Sequence, residues 1–105
     1  VSRKLGNLGL LYREAVLAAL ELGETTNVEG TALVVVPPEY LVAMKLAAGE
    51  PDDERDARRL LAFVDIDVDF LRELLMRHEK LTTLIGKLEF LLRVVGHPAA
   101  LPYRD

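Results

Sequence analysis

The sequence predicts a mainly α-helical fold with one small β-hairpin, an α+β class built as a helix, a hairpin and then four helices. Three observations lead there. Apolar residues recur at three- and four-residue spacing in five separate segments. Two short clusters rich in β-branched residues flank Glu29-Gly30-Thr31. Glycines and prolines fall between these segments rather than within most of them. Of the 105 residues, 50% are hydrophobic, enough for a packed core in one domain or half-domain spanning 1–105.

The first helix is read over 10–22. Leu11, Ala15, Ala18, Ala19 and Leu22 share a face, and Gly23 is a stop signal. The hairpin occupies 25–36, with strands at 25–28 and 32–36. Its second strand, "ALVVV", does not alternate apolar with polar and reads as buried on both faces. A lone hairpin has no sheet to bury such a strand, so a second chain or a further segment is expected to complete it.

Pro37-Pro38 ends the strand and opens a helix running to Ala48, because proline suits the first helical turn. Gly49 and Pro51 close it. The next helix covers 52–64, with Ala57, Leu60, Leu61 and Val64 on one face. A fourth covers 68–78 and buries Leu71, Leu74 and Leu75. A fifth covers 81–95, where Leu81, Leu84, Ile85, Leu88, Leu91, Leu92 and Val95 form a wide stripe. Residues 96–105 read as a loosely packed tail.

The formal net charge of -4 speaks against a DNA-binding surface. There are no cysteines, so disulfides and thiolate metal sites are absent. The apolar runs are too short for a membrane span, and Arg13-Glu14 interrupts the N-terminal leucines too early for a signal peptide. A cytoplasmic location without membrane attachment is the expectation.

Lys45 is the main candidate for function. It lies in a segment, Tyr40 to Ala48, that is otherwise apolar, in line with Leu41, Met44 and Ala48. A lysine there must reach water or an anion. Asp53 and Asp56 share a face of the next helix, and Lys45 and Asp56 lie at similar distances from the intervening turn. Two readings stand side by side: an ion pair that pins the helical hairpin, or a phosphate-binding lysine oriented by aspartates.

The alternating Asp65, Asp67 and Asp69 begin like a calcium loop. Phe70 stands where such a loop needs glycine, and Met76 where it needs glutamate. Asp67 reads instead as the cap of the fourth helix. His78 and His97 have no metal-ligand neighbours at helical spacing and read as surface or boundary residues.

The segment "VVVPPEYLVAMKLAAGEPDDERDARRLL" resembles a stretch of the minimal nucleotidyltransferase-fold proteins, in their uncharacterised and toxin–antitoxin-type branch. The matching residues are Pro38 to Leu41, Ala43 to Leu46, Gly49, Asp53, Asp56, Leu60 and Leu61. The likeness extends more loosely over 11–93. It implies that Lys45 helps hold a nucleotide or its phosphates, with Asp53 and Asp56 supporting the site. The family often carries basic residues where this chain has Glu50 and Asp52. The family's Gly-Ser turn and following Asp-x-Asp, which hold magnesium and nucleotide, have no counterpart in this sequence. The resemblance therefore implies the C-terminal half of such a protein, with no catalytic residue and no cofactor of its own. Magnesium and a nucleotide would enter only if another chain or segment supplied the aspartates.

The expected function is a non-catalytic, degenerate nucleotidyltransferase-like module acting through self-association or a partner chain. The fifth helix's stripe and the incomplete sheet are the expected contact surfaces. The alternatives are a split nucleotidyltransferase subunit that contributes Lys45, and a small structural domain without ligand.

Overall fold

A computed structural model describes the backbone of residues 3–22, 25–34 and 36–101, and side chains over 9–21, 29–30, 36–78 and 80–101. Helix α1 spans Arg3–Leu22 and is followed by strands β1, Thr25–Val28, and β2, Thr31–Val34. Then come α2, Pro38–Ala48, α3, Pro51–Phe63, and α4, Val68–Arg77. A 3-10 segment over Glu79–Leu84 leads into α5, Ile85–Val94.

The strands run antiparallel, with Thr25 opposite Val34 and Val28 opposite Thr31. Glu29 and Gly30 turn the chain with φ of 50° and 81°. Both lie in the left-handed region, which a two-residue hairpin turn requires. The α+β class is nevertheless corrected: the described core is packed by helices, and the class is all-helical in its layers. A ribbon of two four-residue strands adds no sheet layer to the fold. The described core is built from helices, the 3-10 segment and the loop residue Ile66. The expectation that 32–36 is a strand buried on both faces falls largely outside the described residues. Of its side chains only that of Val36 is described, half-buried against the core.

Helix α2 lies at the centre and touches α1, α3 and α4. It buries Tyr40, Val42, Ala43 and Leu46. Helix α1 contributes Leu11, Ala15 and Ala19, α3 contributes Ala57 and Leu61, and α4 contributes Val68, Leu71, Leu74 and Leu75. Leu81, Leu88, Leu91 and Leu92 close the far side. The α5 stripe is therefore used inside the chain. That corrects its expected role as an outer contact surface, because these leucines already have neighbours within the fold.

Two helix starts and the tail differ most from the expectation. Helix α1 extends back to Arg3, through Gly6 and Gly9, which helical propensity alone would discourage. The fifth helix begins at Ile85 rather than Leu81, because the preceding residues take the tighter 3-10 form. The described part of the tail is anchored. The Ala99 carbonyl accepts from Arg72 Nη2 at 2.8 Å, and Ala99 and Ala100 pack against the core. Residues 102–105 lie outside the described part.

Candidate functional site

The α2–α3 corner brings the sequence-predicted residues together. Helix α2 ends at Gly49, whose φ of 73° gives a left-handed cap, with its N–H donating to the Lys45 carbonyl at 3.1 Å. Glu50 is the N-cap of α3 and Pro51 its first residue. With only two residues between the helices, the last turn of α2 faces the first turns of α3.

Across that corner, Lys45 Nζ lies 3.0 Å from Asp56 Oδ2 and 3.4 Å from Asp53 Oδ1. The lysine is not walled in. Its row on α2, with Leu41, Met44 and Ala48, is the half-exposed margin of the helix, and the buried face is the one carrying Val42, Ala43 and Leu46. The Lys45 side chain is 37% exposed. The hydrogen bond it donates to Asp56 raises its pKa above the ordinary lysine value, against a smaller opposing effect of desolvation.

Asp53 has a second partner. Its Oδ2 accepts from the Glu50 N–H at 3.3 Å, one half of a capping box. Glu50 and Asp52 stand where the resembled family favours cations, and the helix accounts for both. Acids in a first turn complement the positive end of the helix dipole, and Asp52 also accepts from Arg55 Nη2 at 2.6 Å. Around the ammonium, two carboxylates face one cation. The cluster bridges the corner and leaves little positive charge to offer a phosphate.

Asp65, Asp67 and Asp69 do not converge. Asp67 caps α4, accepting from the Phe70 N–H at 3.0 Å, and its own N–H donates to Glu39 Oε2 at 2.9 Å. Asp69 lies 3.2 Å from Arg72 Nη1. His97 Nδ1 accepts from the Ala99 N–H at 3.0 Å. Among the described residues no three metal-ligating side chains cluster.

Two further clusters come from pairs far apart in sequence. Arg72 Nε lies 2.6 Å from Glu89 Oε1, and its Nη2 reaches Glu89 Oε2 at 3.1 Å, a two-pronged pair joining α4 to α5. Burial lowers the pKa of this guanidinium, but the Glu89 hydrogen bonds outweigh it and the net shift is upward. Glu14 of α1 takes Arg77 Nη1 at 2.5 Å and meets His78 Nε2 at 2.9 Å, tying α1 to the end of α4. Beside it, Tyr40 packs edge-on against Phe70, with ring centroids 5.8 Å apart. Burial, reinforced by Glu14, pushes the Tyr40 phenol pKa up.

Sequence reasoning passed over both clusters. The available signal was local: Arg72 interrupts the apolar set Leu71, Leu74 and Leu75, and Glu89 lies between Leu88 and Leu91. A charge on the border of a buried stripe needs a partner, but nothing local names it.

Among the described residues, no helix is long and apolar enough to cross a membrane. Comparison of the chain with family models, with curated proteins and with solved structures finds no match.

Proposed function

We propose that this chain is a non-catalytic, degenerate nucleotidyltransferase-like module that works by association, and that helix α1 carries the contact. The observation behind this reading is the face of α1 turned away from its own core. Leu10, Leu17 and Leu20 are 60%, 57% and 59% exposed, while Leu11, Ala15 and Ala19 on the other side are buried. Seven residues separate Leu10 from Leu17 and three separate Leu17 from Leu20, so the leucines form one stripe along the helix. Arg13 falls within the stripe and Glu21 at its edge. In an antiparallel pairing of two copies centred on Leu17, Arg13 of each meets Glu21 of the other. The charge balance at Lys45 favours the non-catalytic side of the reading, since two carboxylates already occupy its ammonium.

Six leucines, three from each copy and each somewhat more than half exposed, would contribute roughly 8 kcal/mol on burial. Association itself costs at least about 4 kcal/mol. The balance of about 4 kcal/mol corresponds to a dissociation constant of about 1 mM. Sedimentation equilibrium up to about 1 mM protein tests this. The wild type should show concentration-dependent mass above 11.7 kDa. Leu17→Glu should remain monomeric with an unchanged circular dichroism spectrum. A wild type that stays monomeric throughout, or a Leu17→Glu variant that associates as strongly, would overturn the assignment.

A further inference from the structure

A second surface, remote in sequence from α1, has different chemistry. Between α3 and the end of α5 lies a groove of about 250 Å³, lined chiefly by Arg55, Arg58, Arg59, Phe63, Val94 and Val95. One end is cationic and the other apolar. Arg55 is engaged by Asp52 at 2.6 Å. Arg58 and Arg59 are exposed and have no side-chain partner among the described residues. Phe63 is 84% exposed and Val94 50% exposed.

We propose that this groove docks an acidic peptide segment of a partner protein, one that places an apolar or aromatic residue beside carboxylates. Charge complementarity carries the choice. In a chain of net charge -4, two guanidiniums with no side-chain partner among the described residues, next to an exposed ring, form a local exception that attracts an anionic partner. Guanidinium forks match carboxylates, and Phe63 with Val94 offers a seat for one apolar side chain.

The geometry favours spaced carboxylates over one compact phosphate. Arg58 and Arg59 are consecutive on a helix and diverge by about 100°, so they address separate anions more readily than a single one. The apolar end lies where α3 and α5 finish, at Phe63 and Val94. Helix C-termini carry partial negative charge and present carbonyls, which suits a peptide's N–H groups and disfavours a phosphate dianion. The surface is distinct from the α1 stripe, so the two assignments stand or fall separately.

The test uses fluorescence anisotropy with a labelled dodecapeptide of glutamates around a central Phe-Leu. A lysine-for-glutamate version and a single-stranded oligonucleotide of equal charge are the comparison probes. The acidic peptide should bind with a dissociation constant below about 1 mM at low salt and weaken several-fold at 0.15 M salt. The pair R58E/R59E should weaken binding by about tenfold or more, and Phe63→Ser by several-fold. Leu17→Glu should leave binding unchanged. These side chains are exposed, and unchanged amide spectra away from α3 will verify the fold of each variant. For the wild type, amide shifts on adding peptide should concentrate at 55–63 and 94–95. Absence of binding, binding indifferent to both groove variants, equal binding of the lysine peptide, or tighter binding of the oligonucleotide would each overturn the proposal.

Discussion

Replacing Arg72 by methionine tests how far the α4–α5 clasp holds the fold. The guanidinium donates to Glu89 at 2.6 and 3.1 Å and to the Ala99 carbonyl at 2.8 Å. Its contact with Asp69 counts for little, because that carboxylate is 94% exposed. Glu89 decides the magnitude. Its side chain is 12% exposed, and without Arg72 the carboxylate loses its two-pronged partner in a poorly hydrated position. Breaking a fully buried pair costs about 3–5 kcal/mol. The residual exposure of both partners, and the packing of the methionine chain, reduce this to about 2–3 kcal/mol. Near the melting temperature that corresponds to a fall of roughly 10–20 °C for a chain of this size. Urea unfolding at pH 7 should show the same loss with an unchanged slope. Replacing both partners, as R72M/E89L, should recover more than half of it, since no buried charge is then left alone. A single-variant loss below about 0.5 kcal/mol, or a double variant no more stable than R72M, would refute the reasoning.

Three further outcomes are expected. Glu14→Gln keeps the shape of the Glu14–Arg77–His78 contact and removes its charge, so thermal unfolding should show a loss of about 1 kcal/mol; an unchanged melting temperature would mean that the cluster does not secure α1. The Tyr40 phenol and the Lys45 ammonium both titrate higher in the folded chain, so their stabilising contributions are complete below pH about 10 and are lost as pH rises through the folded values. Tyr40→Phe should therefore flatten the alkaline decline in melts compared between pH 8 and 11, and an equally steep decline would count against burial as the cause. A double-mutant cycle of Lys45→Ala with Asp56→Ala should give a coupling of about 0.5 kcal/mol or less, typical of an exposed pair; a coupling above about 2 kcal/mol would mark a far more buried site.

The legible parts of this chain are those that depend on neighbours in sequence. Pro38 and Gly49 bound helix α2 in the sequence, and its ends follow those residues because ring geometry and a left-handed cap act locally. The meeting of Lys45 and Asp56 could be derived from helical repeat and turn length alone, and the same holds for Asp67 as a cap. The α+β class misled because β-branched residues over 25–36 speak for extended backbone without saying whether a sheet exists to receive it. The α5 stripe suggests an outer surface because its width shows apolar character but not which partner covers it. Arg72 and Glu89, 17 residues apart, and Glu14 and His78, 64 apart, belong to the tertiary arrangement, which spacing within one helix cannot reveal.

Asp53 holds Lys45 with one oxygen and the Glu50 N–H with the other, so the end of one helix and the start of the next meet on one carboxylate. The consequence lies in the order of folding. Closing a loop of two residues costs little chain entropy, and the contacts it brings are near in sequence. The α2–α3 hairpin is therefore expected to form early, whereas the Arg72 clasp needs α4, α5 and the Ala99 segment already in place. Substitutions at Asp53 should mainly slow refolding, and those at Arg72 mainly hasten unfolding. One small corner would then govern how quickly the chain finds its structure, and a distant pair how long it keeps it.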